Sequence, residues 1–556
     1  MIGAEAAIAK GYAAYQRGDL EGARAALTPV SHPQAWHLLG LVERKAGRFA
    51  DALRWLAKAE SADRQNPEIP NNQGRVAMDA GDPFAAERFF RRSLSLRPNW
   101  EPPLSGLGRS LNDQKRWDEA GPVWREVLKQ NPDDPGARYG AAMADLEIGK
   151  LDVAEAGYTA LLDAGITDAA VYFMRGRARL EASKIEQGLE DLQTAWASRP
   201  EPHVLKNLAN SLWMAGDRSA FDKLLRSVPD DLAIMAVDLI GQSGDFQGAL
   251  EAWEHLASHH RASAHGLAVK AILHRDLSQG DQSLEAAEAA YALAQSDPFI
   301  VDALACARLM VGDGAGTLAA IKPWRDAKPN SQHWLSYETT ALRVMGDPRY
   351  DHLVQMDNHV RAYELPVPEG FSSIQSFNDA FVEALEPVRG FTTHPLDQSL
   401  RLGAQTSRDL AKTPDPVIQA YIKALDGPIR AYMADIGKAV DHPLTVRNSG
   451  EYRFNGCWSV KLTGGGRHVN HIHSEGWISS AYYASVPAET QSGEGKAGWI
   501  KFGEPPFVTA PETPPQKWIQ PEAGLLVLFP SYLWHGTEPI SEGATRITAP
   551  FDVVPV

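Results

Sequence analysis

A 34-residue period runs through the first part of the chain and limits what that part can fold into. Gly40, Gly74, Gly108, Ala142 and Gly176 stand at one position of the period. Ala52, Ala86, Ala120, Ala154 and Gly188 stand at a second, and Leu56, Phe90, Trp124, Tyr158 and Leu192 at a third. A repeat of this length is one supersecondary unit that buries its apolar face only by stacking on its neighbours. The Gly/Ala positions mark close helix crossings where a larger side chain would clash, and the aromatic/Leu series fills the gap to the next helix. Pro98, Pro132 and Pro200 close helix pairs, because proline cannot continue a helix. Turn signals separate the paired helices at Ala46-Gly47-Arg48, Ala80-Gly81-Asp82 and Ile148-Gly149-Lys150.

This pattern resembles the tetratricopeptide repeat, with Trp36, Leu39, Gly40, Ala52, Leu56 and Ala59 as the best single match. The resemblance implies an α-solenoid, a right-handed superhelix of helix pairs with a concave face. Beyond residue 200 the register loosens, although Ala215-Gly216-Asp217 and Ser243-Gly244-Asp245 still mark helix turns. Residues 265–335 continue as helices of weaker spacing. Such an arm is either a plain spacer or a surface that docks a polypeptide.

The pattern changes after His333. Met345-Gly346-Asp347-Pro348 reads as a helix stop, and Leu365-Pro366-Val367-Pro368-Glu369-Gly370 as a linker. The expected division is a repeat domain at 1–335, a helical junction at 336–370 and a second domain at 371–556. Helices are expected within 371–438: Phe371 to Val388, and Asp415 to Ile436 with Ile418, Tyr421, Leu425, Ile429, Tyr432 and Met433 on one face. Strands are expected within 444–553, at Leu444–Asn448, Glu451–Leu462, His468–His473, Trp477–Val486, Gly498–Phe502, Lys517–Gln520, Leu525–Phe529 and Thr545–Val553. Gly464 to Gly466, Gly493 to Gly495, Pro505-Pro506 and Pro514-Pro515 separate several of them. Short strands so spaced suit a double-sheet jelly roll, with the helices bracing one side. The fold class is therefore multidomain α + β.

Within that domain, His471 and His473 stand two residues apart, which on a strand puts both rings on one face about 7 Å apart along the chain. His535, from a distant strand, completes a three-imidazole facial set that leaves metal positions open for O2 and a bidentate co-substrate, as non-haem Fe(II) chemistry requires. Arg546, on the following strand, can clamp a carboxylate with two parallel hydrogen bonds. A five-carbon keto-diacid chelating the metal leaves its other carboxylate for such a partner, with Thr548 on the same strand face. Tyr482 or Tyr483 can add a phenolic hydrogen bond or serve as core packing. His468 lies off the face shared by the pair. No catalytic residue is expected beyond the metal and co-substrate ligands.

The runs His471-Ile-His473-Ser-Glu-Gly-Trp-Ile-Ser-Ser-Ala-Tyr-Tyr483, Leu526-Val-Leu-Phe-Pro-Ser-Tyr-Leu-Trp-His535-Gly-Thr and Arg546-Ile-Thr-Ala-Pro-Phe-Asp-Val-Val-Pro555 resemble the bacterial 2-oxoglutarate/Fe(II) oxygenases fused to tetratricopeptide repeats. Gln398 to Thr406 and Trp458 to Leu462 are similar as well. The resemblance implies a double-stranded β-helix, Fe(II), 2-oxoglutarate and O2. Most of the wider superfamily carries His-x-Asp or His-x-Glu where this chain has His-x-His. Two readings stay open: His473 replaces the carboxylate, or it swings away and water fills the position. Glu475 shares the strand face only if the strand continues past His473, and Gly476 points to a turn.

A net charge of −15 disfavours a nucleic-acid partner. No apolar run approaches about eighteen residues, so no membrane span is expected. The first 23 residues lack a signal-peptide core and read as the first helix. Cys306 and Cys457 are too few for a disulfide framework and read as small core residues in a reducing cytoplasm. The expected function is hydroxylation of a peptide or protein docked by the repeat arm. The alternatives are an interaction scaffold with a silent jelly roll, and a three-histidine dioxygenase that uses no keto acid.

Overall fold

The period seen in the sequence becomes helix pairs. Pro33–Lys45 pairs with Phe49–Ala62, Glu68–Asp79 with Pro83–Leu96, Glu101–Asp113 with Trp117–Gln130, and Pro135–Glu147 with Leu151–Asp163. The computed structural model describes residues 2–491 and 495–556; Met1 and Gly493, the latter one of the expected separators, lie outside them. By internal contacts the chain divides into two units, residues 1–178 and 179–556.

In the first unit the repeat positions do what their sizes require. A Cβ on Gly74 would stand 2.5 Å from Phe90, and one on Gly108 would stand 2.6 Å from Trp124. Gly40 meets Leu56 in the same way, at 2.5 Å. Ala52, Ala86, Ala120 and Ala154 are fully buried, as are Leu56 and Tyr158. Each large side chain so buried contributes about 1.5–3 kcal/mol, and the glycine opposite it lets the helices close to that distance. Gly47, Gly81 and Gly149 turn the chain between paired helices with φ between +73° and +80°, a region that favours glycine.

The second unit holds helices from Ile185–Ser198 to Gln332–Met345 and then builds the strands. These are β1 (Arg361–Glu364), β2 (Leu400–Gln405), β3 (Tyr452–Cys457), β4 (Val460–His468), β5 (Ile478–Ser485), β6 (Ile500–Phe502), β7 (Lys517–Ile519), β8 (Leu525–Pro530), β9 (His535–Thr537), β10 (Thr545–Thr548) and β11 (Phe551–Pro555). One sheet runs β1-β8-β5-β10-β4-β2, with β11 and β3 joined through β5; the other runs β7-β6-β9. All pairings are antiparallel, and the two sheets form the expected jelly roll. Helices Ile374–Leu385, Pro416–Ala424 and Asp426–Ile436 brace one side. Phe377, Phe381, Tyr421 and Tyr432 from these helices are buried with Tyr482, Leu526, Leu528 and Phe551 in one core.

Several elements differ from the sequence reading. Leu444–Asn448 is not a strand; a 3-10 turn occupies Thr445–Arg447. The expected long strands 451–462 and 545–553 each break in two, at Trp458-Ser459 and Ala549-Pro550, where the chain crosses between ladders. Trp458 N donates to the Pro550 carbonyl there, so the two breaks support each other. The expected strand 468–473 ends at His468. The segment 415–436 is two helices, since Pro428 opens a new first turn. β1 lies inside the expected junction and β2 inside the expected helical stretch, each held by a partner remote in sequence.

The last repeat helix is tied to the strand domain. Trp534 Nε1 donates to Thr340 Oγ1 at 2.8 Å, and Arg343 donates to the carbonyls of Gly503 and Pro514 at 2.8 and 2.6 Å. Cys306 and Cys457 are buried free thiols. Among the described residues, no helix is long and apolar enough to cross a membrane.

Candidate metal centre

An isolated backbone bridge to the start of β9, not a continuation of β4, brings the imidazoles together. His471 and His535 exchange both backbone hydrogen bonds, at 2.8 and 3.0 Å, in an isolated antiparallel bridge. His473 N donates to the Ser531 carbonyl at 3.0 Å, extending the same alignment. A Cβ on Gly536 would fall 2.3 Å from the Asn470 side chain, so glycine is needed beside His535 for the segments to approach. The chain then turns, with Gly476 N donating to the His473 carbonyl at 3.2 Å. That turn leaves Glu475 exposed.

One ligand atom from each of His471, His473 and His535 falls within 4.8 Å of the others. Nε2 of His471 and Nε2 of His473 are 3.2 Å apart. In every ring Nδ1 faces an oxygen: the Val469 carbonyl at 2.9 Å for His471, the Leu533 carbonyl at 2.9 Å for His535, and the Asp552 carboxylate at 2.6 Å for His473. A carbonyl only accepts, so Nδ1 carries the proton in His471 and His535 and Nε2 keeps its lone pair. Burial, followed by the neighbouring His473, pushes His471 down to about 3, and burial holds His535 well below the ordinary histidine range. Neutral imidazoles with fixed tautomers are the form that binds a divalent ion.

The cavity behind these rings is also lined by Arg546, Thr548, Tyr483, Gln405 and Trp458. Arg546 is 2% exposed and donates through Nη1 to the Gly498 carbonyl, while its Nε has no partner. Its guanidinium carbon stands 5.7 Å from the Tyr483 ring, whose buried hydroxyl is likewise unpartnered. Among the described residues no carboxylate lies within ion-pair distance of Arg546, and burial lowers its pKa. A buried guanidinium left without a counter-charge is costly, so this cavity fits an anion. Tyr482, the other tyrosine considered from the sequence, faces the opposite side of β5 and donates to Asn378 Oδ1 in the core. His468 sits beside the set, its Nδ1 2.9 Å from Ser399 Oγ.

Comparison with known proteins follows the same division. Residues 456–552 match the family described as "Putative 2OG-Fe(II) oxygenase", and residues 30–67 and 105–169 match the tetratricopeptide repeat. The chain carries a domain of that oxygenase family together with tetratricopeptide repeats. Protein FlbA of Caulobacter vibrioides is 27% identical over 175 residues, which are 31% of this chain and 29% of that protein. Protein O-mannosyl-transferase Tmtc3 of Drosophila melanogaster is 32% identical over 77 residues, 14% of this chain and 8% of that protein. The chain thus spans under a third of the length of either relative. A tetratricopeptide repeat protein from Parabacteroides merdae aligns at 16% identity and a TM-score of 0.33, covering 55% of this chain and 99% of that one.

In the oxygenase-family domain the structure brings all six sequence-chosen residues to one cavity: His471, His473, His535, Arg546, Thr548 and Tyr483. Sequence reasoning missed Asp552, which also accepts from Ser479 Oγ at 2.7 Å. It lies seventy-nine residues from His473, and only the pairing of β11 with β5 sets the two side by side. Ser399 Oγ, 3.2 Å from His471 Nε2, was missed for the same reason. The only hint for Asp552 was a charged residue inside an otherwise apolar strand run, Phe551–Pro555.

Proposed function

We propose that this chain is an Fe(II)- and 2-oxoglutarate-dependent oxygenase that hydroxylates a peptide or protein substrate presented by its helical repeats. The observation that carries the reading is the pairing, in one cavity, of three convergent imidazoles with a buried guanidinium that has no counter-charge among the described residues. When bound, Fe(II) and 2-oxoglutarate supply oxidation of a substrate C–H bond by O2, with loss of CO2 from the keto acid. His471, His473 and His535 would hold the metal through Nε2. Asp552 keeps the His473 proton on Nδ1 and adds negative charge one bond beyond the ligand set, where the wider superfamily has a coordinating carboxylate. Arg546, with Thr548 and Tyr483, would hold the far carboxylate of the co-substrate. Trp458 and Ile500 supply apolar wall and restrict water.

The repeats of 1–335 would dock the substrate, and residues 371–556 would carry the chemistry. The repeats support a polypeptide substrate, since stacked helix pairs offer an extended binding face. The test is succinate production by the purified full chain with Fe(II), ascorbate and 2-oxoglutarate. Slow turnover without added substrate, abolished by chelation and by His535→Ala, is expected. Absence of both succinate and Fe(II) binding would overturn the proposal.

A further inference from the structure

A larger cleft, of about 1010 Å³, adjoins the metal-site cavity. One wall comes from repeat helices Ala233–Gln242 and Ala264–Asp276, the other from the start of β2, the end of β4 and the loop after β6. Ser399, His468 and His471 line both spaces, so a molecule in the cleft reaches the imidazoles.

Two arginines in this cleft face each other. Arg401 on β2 and Arg467 on β4 are cross-strand partners, and both line the cleft. Like charges directly opposite on paired strands destabilise a sheet. Among the described residues no carboxylate lies within ion-pair distance of either. Arg401 Nη1 donates to the carbonyls of Gln398 and Leu400, both at 2.7 Å, which fixes the side chain without neutralising it. Burial and then the Arg467 charge hold the Arg401 guanidinium below its ordinary range. Three of the acids lining the cleft have other partners, Asp276 with Arg275 at 2.8 Å, Glu504 with Lys501 at 2.7 Å and Asp238 with Gln242 at 2.8 Å, and Asp276 offsets the Arg401 charge only from beyond ion-pair distance.

The backbone beside Arg401 is strained as well. Leu402 has φ +55°, and the register between β2 and β4 shifts between Arg401 and Gly403. A non-glycine residue held in this region costs on the order of 1–3 kcal/mol, and a bulge re-aims the adjacent side chain. Leu402 itself is 54% exposed and gains little from burial in return. Like-charge opposition and backbone strain therefore meet at one point, two residues from Ser399.

We propose that Arg401 and Arg467 form the docking site for an oxyanion, a carboxylate or phosphate, carried by the molecule that enters this cleft. Two forked guanidiniums match such a group with parallel hydrogen bonds. The two residues from Arg401 back to Ser399 span about 7 Å of strand, a separation that sets the anion apart from the imidazole cluster. Identifying that molecule as the oxygenase's substrate rests on the function proposed above; the anion site itself rests on the cleft.

The test is calorimetric titration of the full chain with inorganic phosphate, and separately with an acetylated Gly-Glu-Gly-Glu-Gly peptide and its Gln counterpart. Binding of phosphate and of the Glu peptide is expected, with at least ten-fold weaker binding in Arg467→Gln and in Arg401→Gln. Arg401→Lys should keep part of the affinity, and exposed Lys10→Gln should keep all of it. Arg467 is exposed, so its variant remains informative if Arg401→Gln fails to fold. A Glu peptide that binds more tightly than phosphate identifies a polypeptide source for the anion, and equal affinity identifies a small acid. Wild-type affinity in Arg467→Gln, or no anion binding by the wild type, overturns the site. Co(II) titration runs beside these: anion binding without Co(II) binding defeats the oxygenase reading and leaves the anion site standing. Co(II) binding without anion binding defeats the site alone.

Discussion

Nδ1 of His473 donates a 2.6 Å hydrogen bond to Oδ1 of Asp552, seventy-nine residues away in sequence. That contact orients the ring so that its other nitrogen meets His471, and it supplies a carboxylate to a proposed ligand set that has none of its own. Partners of this kind raise ligand basicity and fix the ring, and their removal typically costs 10–100-fold in metal affinity. Asp552→Ala is therefore expected to weaken Co(II) binding by about 10–100-fold, with Asp552→Asn intermediate. Wild-type affinity in Asp552→Ala, in a spectroscopic Co(II) titration, would remove the orienting role.

Loss of a ligand should be more severe than loss of its support. His471→Ala and His535→Ala each leave two imidazoles, and both are expected to lose stoichiometric Fe(II) measured after desalting. His468→Ala should keep it, because that ring bonds to Ser399 and stands 5.9 Å from the His471 ring. Equal loss in all three variants would argue for general disruption of the fold.

Arg546→Gln removes the buried charge while keeping a polar side chain. It should raise the KM for 2-oxoglutarate at least ten-fold, as expected when about 1.4 kcal/mol or more of a charge-assisted contact is lost. Fe(II) binding should be unchanged. A three-histidine enzyme that uses no keto acid would show no 2-oxoglutarate dependence in either protein.

The helical repeats offer a test of packing. Gly108→Ala improves helix propensity by about 1 kcal/mol, but the new Cβ would stand 2.6 Å from Trp124. Trp124 is also closed in by Gly140 on the next helix, 2.4 Å from a Cβ built there, so the ring has no room to shift. Overpacking should win, with a net loss of about 1–3 kcal/mol read as a lower urea midpoint by circular dichroism. Adding Trp124→Leu should recover part of that loss; an unchanged midpoint in Gly108→Ala would show that the crossing is looser than this.

Acid should weaken the second unit. Burial pushes His359 and His394 down to about 4, the former aided by His442 and the latter by Arg401. Both titrate near 6.5 in the unfolded chain, so between pH 6.5 and 4 the unfolded state binds more protons and stability falls as pH falls. Each contributes up to about 3 kcal/mol across that window. Urea midpoints at pH 7, 5.5 and 4.5 should decline, and His359→Gln should flatten part of the decline. A midpoint independent of pH would contradict the buried neutral state.

The repeat array was legible because its information is local. Gly74 and Phe90 lie on neighbouring helices, so their sizes had to match at a fixed spacing that the sequence displays directly. The metal-ligand candidates were legible for a different reason: two histidines in one short run and a third before an arginine form a pattern that core packing does not produce. Their geometry was partly misread, since His471 and His473 were expected on a strand and instead follow the end of β4. The convergence of their rings comes from the bridge between His471 and His535.

The amino-acid order by itself determined the helix pairs, the class of the second domain and six of the residues that face its cavity, because periodicity and side-chain size act over one or two turns or strands. Only the tertiary structure decided that Asp552 supports His473, that Arg546 lies buried without a counter-charge among the described residues, and that Arg401 opposes Arg467. Each depends on which strands pair and in what register. That choice is set by burial summed over the whole core, and no short stretch of the chain carries it.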